Sequence, residues 1–362
     1  MNAAADARNE LPQERPAPGL LGMAERGHIP DALLRQGIRR LCAQRLREEQ
    51  AGGLDAQAAR YAERIEMLRH SPVAIHTDAV NSQHYELPPA FFELCLGKRL
   101  KYSSCYYPRG DESLEQAEEA MLRLYGERAE LADGQRILEL GCGWGSLTLW
   151  MAERYPNARI KAVSNSHQQR KHIEAQCRKR GLFNVRVVTC DVNRLELEAA
   201  QFDRCVSIEM FEHMRNYGTL LGRIASWLKP GGKLFVHIFA HKTAMYPFET
   251  EGDDNWMGRH FFTGGLMPAS DTLLWFQSAL NIEQRWHVDG THYQRTANHW
   301  LANQDAQRAQ VMEVLVKAYG SNAAPLWFQR WRMFWMSCAE LFGYAGGQEW
   351  LVAHYRFVRP GS

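Results

Sequence analysis

The eight cysteines include no Cys-x-x-Cys pair. They fall at 42, 95, 105, 142, 177, 190, 205 and 338, several of them inside apolar, strand-like runs. That scatter excludes the spacing of a zinc site or a disulfide framework, and it predicts reduced core thiols in a cytoplasmic protein with no metal. No apolar run approaches the roughly 18 residues that a membrane-spanning helix needs. The opening MNAAADARNELPQERPAP has no apolar stretch of the secretory kind, so no signal is expected. Surplus charge is also missing: the formal net charge is +2 over 362 residues. Nucleic acid is therefore not expected as the main partner, because phosphate binding needs clustered, uncompensated Lys and Arg. No internal repeat is evident. What is present is a 45% hydrophobic, 23% charged chain, enough for a sizeable core in one elaborated soluble domain.

Three regions follow from patterning. Residues 1–18 are polar and Pro-rich and read as a disordered tail. Residues 19–130 carry helical periods, with Ile29, Leu33, Leu34, Ile38, Leu41 and Leu46 on one face and Pro30–Asp31 at a helix start. From 131 to 362 the pattern becomes β/α alternation. RILELG, RIKAVS, VRVVTCD, DRCVSIE and KLFVHIF read as strands with helices between them, and PGG at 230–232 as the turn before the fifth. NIEQRWHVD and EWLVAHYRFVR are two late strands. The expected fold class is α/β: a Rossmann-like, doubly wound, mostly parallel seven-stranded sheet. Residues 240–280 break the alternation and read as an inserted substrate lid rich in aromatics.

The stretch ILELGCGWGS at 137–146 is the most informative. A strand that runs into Gly141, Gly143 and Gly145 and then opens a helix suits a nucleotide-type cofactor. Glycine allows a tight turn and close backbone approach, and the helix start offers free N–H groups. Glu139 would repel a pyrophosphate but would welcome an ammonium group. S-adenosylmethionine, with an α-amino cation and no phosphate, fits that combination. The acid that usually ends the second strand is missing; Ser164, Asn165 and Gln169 stand there instead. Asp191, followed by Val192, is placed to reach an adenine edge, although a strand-end Asp also serves as a helix cap.

The runs QHYELPPAFFELCLGKRLKYSSCYY, ILELGCGWG, SIEMFEHMRNYG and FVHIF together resemble the cyclopropane-fatty-acid synthase superfamily of methyltransferases. IEMFEHM, VSNS, DDNW, HYQRT, ELFGY and GQEW are more similar to its coclaurine N-methyltransferase-like branch. The resemblance runs from about residue 19 to the end. It implies S-adenosylmethionine as cofactor, with Tyr102 and Ser103 among the residues around it. It also implies that Glu209, Glu212 and His213 carry base and amine-orienting roles. In the cyclopropane synthases a bicarbonate ion is held by Glu, His, Tyr and Cys. Glu212, His237 and Tyr293 match three of these, and the Cys position falls on Ser104.

Independently of the resemblance, an amine must be neutral to attack a methyl group, so a carboxylate or His must take its proton. Glu209, Glu212 and His213 follow the fourth strand at its carboxyl end, where open α/β sheets bind ligands. Three residues apart, the two acids would share a face of a first helical turn. The bland alternative is that they favour a helix start through its dipole. The leading expectation is a methyltransferase acting on a small-molecule amine, with a homodimer allowed. The runner-up is an enzyme that builds a cyclopropane on an unsaturated phospholipid. A cofactor-binding regulator is the third reading. Trp256, Phe261, Phe262, Trp275 and Phe276 are candidates to wall an amine pocket by cation–π contact.

Overall fold

The protein, described here by a computed structural model covering residues 15–75, 87–252 and 255–361, is built on a seven-stranded sheet. Its strands are β1 Arg136–Leu140, β2 Arg159–Ser164, β3 Val185–Thr189, β4 Phe202–Ile208, β5 Leu228–His241, β8 Asn281–Val288 and β9 Trp350–Val358, while β6 Tyr246–Pro247 and β7 Leu266–Met267 form a separate pair. The order is β3-β2-β1-β4-β5-β9-β8. The first five strands pair in parallel; β9 runs antiparallel between β5 and β8. Chain order reverses between β1 and β4, so a crevice opens at their carboxyl ends.

Alternation along the strands makes both faces apolar. Ile137, Val206, Phe235 and Phe239 enter one core cluster, while Leu138, Leu140, Cys205, Leu234 and Val236 enter the other. The helices between the parallel strands are short. Ser146–Arg154 follows β1, and His167–Arg180 follows β2, where the Ser166 hydroxyl accepts from the Gln169 N–H and caps the helix. The expected PGG turn is a bulge inside β5. Pairing with β4 jumps from Phe202↔Leu228 to Arg204↔Lys233, and Gly231 adopts φ +73°.

Of the insertion expected over 240–280, Ala240 and His241 belong to β5, and residues 242–280 carry a two-residue strand pair, Tyr246–Pro247 and Leu266–Met267, and a short helix, Trp256–His260. The helices Gly290–Ala306 and Ala324–Phe342 pack on each other, with Tyr293 stacked on Phe342 at 4.2 Å, and the second packs on the insertion, with Phe334 stacked on Phe261 at 4.3 Å. Asp31–Gln50 is the long N-terminal helix, and its Arg35 and Arg39 both grip Glu340. All eight cysteines are free thiols, seven of them buried. Among the described residues, no helix is long and apolar enough to cross a membrane.

Of the tail expected over 1–18, residues 1–14 lie outside the described residues. Ala17 is held in place: its N–H donates to the carboxylate of Glu25 at 2.7 Å. Glu25 is fully buried and also accepts from Arg330 Nε and Trp256 Nε1, both at 2.9 Å. One carboxylate thus ties the N-terminal segment, the insertion and a C-terminal helix together. Removing one partner of a buried ion pair leaves the other charge uncompensated. Glu25→Ala is therefore expected to lower unfolding stability by about 3–5 kcal/mol. Denaturant titration checks this; a loss within about 0.5 kcal/mol, the range of an ordinary surface substitution, would show that the tie carries no load.

Candidate active site

Two adjoining cavities, of about 720 and about 550 Å³ with open solvent included, meet at Gly141, Gly143, Gln169 and Glu209. Ser164, Asn165, Asp191, Val192 and His213 line the first; Tyr102, Ser103, Glu139 and Ser146 line the second. The glycines differ in role. Gly143 has φ +51°, and a Cβ built on it meets nothing within 4 Å, so its backbone faces open cleft. Gly145 has φ +84°, and its Cβ would stand 2.6 Å from Ile173 Cγ1, so it serves helix packing and does not line either cavity. Asp191 lines the first cavity and also closes a local turn, accepting the Asn193 N–H at 2.7 Å.

The second cavity is prepared for a polar ligand. Buried Ser146 Oγ and Gln169 Nε2 have no hydrogen-bond partner among the described residues. Gln169 Oε1 is taken by the Ser164 hydroxyl at 2.6 Å, which turns the amide nitrogen free. Glu139 is 2% exposed, and the Thr148 hydroxyl donates to it. No cation pairs with it among the described residues, and burial pushes its carboxyl up to about 8. These groups fit S-adenosylmethionine: a carboxyl waiting for an ammonium, orphaned polar atoms and a glycine backbone open to approach.

At the carboxyl end of β4 the chain turns sharply. Glu209 has φ +46°, a left-handed conformation that non-glycine residues rarely take, and its N–H bonds the His237 carbonyl at 2.9 Å. Only Phe211–His213 forms a helical turn, of the 3-10 kind. Glu209 and Glu212 therefore do not share a helix face as expected. The turn sends Glu209 back under the cleft. Its Oε1 lies 2.9 Å from His237 Nε2 and accepts the Ser104 N–H at 3.0 Å, and its Oε2 accepts the Tyr293 hydroxyl at 2.7 Å. Glu212 points elsewhere: Oε1 accepts the Phe239 N–H at 2.7 Å, and buried Oε2 has no partner among the described residues. Glu209 and His213 reach the cavity walls; Glu212, His237 and Tyr293 stand behind them.

The two acids differ electrostatically. Burial raises both, and the negative charge of Glu209 adds to the rise at Glu212, which goes well above the carboxylate range. At Glu209 the buried Lys101 charge, the Ser104 N–H and the Tyr293 hydroxyl oppose the rise. Glu209 is thus the member of the pair that ionises first. His213 is held down to about 4 by burial and by Arg215, so it is a neutral imidazole near pH 7.

Residues 74–346 match the family model described as mycolic acid cyclopropane synthetase. The chain belongs to this family. It is 35% identical over 360 residues, 98% of this chain and 99% of the other, to (S)-coclaurine N-methyltransferase from Thalictrum flavum subsp. glaucum. The cyclopropane-fatty-acyl-phospholipid synthase of Escherichia coli (strain K12) is 28% identical over 284 residues, 78% of this chain and 69% of that one. A crystal structure of coclaurine N-methyltransferase bound to N-methylheliamine and SAH superposes with a TM-score of 0.90 at 37% identity, covering 93% of this chain and 98% of that one. This cyclopropane synthetase family member is an S-adenosylmethionine-dependent methyltransferase.

Within that family the site departs from the expected anion arrangement. Glu212, His237 and Tyr293 match three bicarbonate ligands of the cyclopropane synthases in sequence; the structure gathers His237 and Tyr293 round Glu209 instead. Ser104, at the expected Cys position, contributes its backbone N–H, while its hydroxyl turns to the Cys105 carbonyl. Of the lid aromatics only Phe262 reaches the site, stacking on His213 at 5.7 Å. Trp256 is spent on Glu25, Phe261 stacks on Phe334, Phe276 packs on Tyr217, and Trp275 is half exposed. Asp253 and Asp254 of the DDNW run, and residues 83–86 of the QHYELPP run, lie outside the described residues. Sequence reasoning missed Lys101, Tyr125, Arg128 and His354, which surround the Glu209 cluster. His354 did carry a signal, the same one that exposed Glu139: a lone polar residue inside an apolar strand.

The raised Glu139 carboxyl has a measurable consequence. Below about pH 8 it is mostly protonated in the free protein, and pairing with an ammonium favours its charged form. Cofactor binding at pH 7 should therefore release close to one proton, seen as a dependence of calorimetric heat on buffer ionisation enthalpy. Glu139→Gln should bind more weakly and abolish the release. A wild-type protein that binds without releasing a proton would remove Glu139 from this role.

Proposed function

We infer that the protein methylates the nitrogen of an apolar small-molecule amine, with Glu209 as a built-in anion at the methyl-transfer point. The observation that carries this reading is the Glu209 carboxylate itself. It occupies all three donors, Ser104 N–H, His237 Nε2 and Tyr293 O–H, that a bicarbonate would need. Those three donors are therefore already engaged and are not open to a free anion. Curated relatives named as N-methyltransferases of coclaurine and pavine support an amine acceptor. Met210 and Met214, next in sequence to Glu209 and His213 on the wall of the first cavity, support an apolar one beside the cofactor candidates Ser164, Asn165, Asp191 and Val192. The free, buried thiols support a cytoplasmic setting.

The chemistry follows from placement. S-adenosylmethionine supplies an electrophilic methyl. Glu209 attracts the amine, which arrives as an ammonium, into the cavity it shares with His213. The proton leaves nitrogen for the Glu209 carboxylate, His213 staying a neutral ring beside it, and the lone pair so freed faces the methyl. Glu212, raised and behind, accepts negative charge poorly and so keeps the pair at one net charge in the resting site. Phe262 fixes the His213 ring plane by stacking on it.

This reading has a chemical-rescue test. Glu209→Ala keeps the three donors and opens an anion-sized space between them. Its kcat is expected to fall by about 10²–10⁴-fold, the range for loss of a general base. Millimolar formate or bicarbonate should restore part of the loss, while the wild type ignores both. A wild-type rate that collapses when bicarbonate is stripped from the buffer, or a Glu209→Ala variant with full kcat, would overturn the reading.

A further inference from the structure

A hydrogen-bonded chain runs from the protein's flank to Glu209 through two buried histidines. Arg128 is the last residue of the helix Leu114–Arg128 and lies over the Trp286 ring at 5.0 Å. Its Nη1 is 2.7 Å from His354 Nδ1. His354 and His237 face each other across the antiparallel β5–β9 pair, with His354 Nε2 2.9 Å from His237 Nδ1. His237 Nε2 is in turn 2.9 Å from Glu209 Oε1. Both imidazoles are fully buried.

The direction of every hydrogen in this chain is decided at its far end. A guanidinium has only donors, so His354 Nδ1 must accept. A neutral imidazole whose Nδ1 accepts carries its hydrogen on Nε2. His354 Nε2 therefore donates, and His237 Nδ1 must accept. His237 then also carries its hydrogen on Nε2 and gives it to Glu209. The Tyr125 hydroxyl, also 2.9 Å from His237 Nδ1, competes with the His354 N–H for that nitrogen's single lone pair and so makes at most a shared, weaker contact as donor. The opposite tautomer would set two N–H groups head-on between the histidines and leave a nitrogen lone pair facing a carboxylate.

We propose that Arg128 and His354 are positioning residues that lock His237 as the Nε2–H tautomer, so that only donors face Glu209 and its carboxylate stays an anion. The proposal rests on the role inferred above for Glu209, and it deepens that role by naming what keeps the anion in place. Burial holds both histidines well below their ordinary range, with the Lys101 and then the Arg128 charge adding to it at His237, and the neighbouring His237 ring, Arg128 and Lys101 at His354, in keeping with two neutral rings. The Arg128 charge thus acts at a distance, through bond direction rather than contact.

The direct test is long-range nitrogen–proton NMR on the full chain with labelled histidine, His237 and His354 being assigned by single substitution. At pH 7 both should show a pyridine-type Nδ1 and a protonated Nε2. An Nδ1–H form of His237, or an imidazolium at either position, would overturn the proposal. Kinetics give a second readout. His354→Leu with Tyr125→Phe removes both donors to His237 Nδ1, and kcat should fall by about 10–100-fold, the effect seen when a partner that orients a histidine is lost, with cofactor Kd no different from that of Tyr125→Phe alone. Replacing Leu by the conservative choice, His354→Gln with Tyr125→Phe, should recover most of it, because an amide can accept from Arg128 and donate to His237. Equal losses in the Leu and Gln versions would indicate a packing role and overturn the lock. The NMR result does not depend on any substrate. Correct tautomers together with failed formate rescue would therefore overturn the Glu209 reading and leave the lock standing.

Discussion

A carboxylate withdrawn from water must recover its hydrogen bonds from the protein, or it takes up a proton. Glu209 meets that constraint, and much of the site is arranged to satisfy it. Three structural regions each send one donor: the segment before the first parallel strand sends the Ser104 N–H, β5 sends His237 and the helix Gly290–Ala306 sends Tyr293. The left-handed backbone at Glu209, a conformation that costs on the order of 1–3 kcal/mol, is the geometry that turns the side chain toward them. Buried Lys101, whose Nζ donates to the Ser103 hydroxyl at 2.6 Å, adds charge of the right sign below.

The same logic separates two carboxyls that differ little in sequence. Glu209 is met by donors and by a cation; Glu212 receives one backbone N–H and the repulsion of its neighbour. Like charges buried close together do not both ionise readily, so environment assigns the roles. Glu139 is a third case. It has a hydroxyl donor but no cation among the described residues, and it remains poised until a cationic ligand completes it.

Most of the fold was legible because it rests on short-range patterning. Alternating apolar runs, breaks at Gly and Pro and the late pair of strands gave the seven-stranded sheet its elements. The cofactor wall was legible for a related reason: a Glu inside an apolar strand and glycines at its end are local signals. The Glu209 cluster was only half legible. Its members His237 and Tyr293 were named, but the resemblance to the cyclopropane synthases grouped them with Glu212, and the three-residue spacing of Glu209 and Glu212 read as one helix face because no local pattern shows the left-handed backbone at Glu209. Gly145 was read as lining the cofactor site, yet it is Ile173 from the next helix that excludes a side chain there. Trp256 and its aromatic neighbours were read as a pocket wall, and most serve the packing between insertion and C-terminal helices. Such partners lie far apart in sequence, so no local pattern could pair Trp256 with Glu25 or His354 with Arg128.

The central claim is that a fixed Glu209 carboxylate, and not a captured bicarbonate, serves a transfer of an intact methyl to nitrogen. The most direct measurement supplies the purified protein with trideuteromethyl-labelled cofactor, an apolar amine and unsaturated phospholipid vesicles, in buffer stripped of bicarbonate. Mass spectrometry of the products then counts deuterium. The account requires all three deuterium atoms to appear on the amine, at a rate that added bicarbonate leaves unchanged. A lipid product carrying two deuterium atoms, the mark of methylene transfer, or a rate restored by bicarbonate, would contradict it.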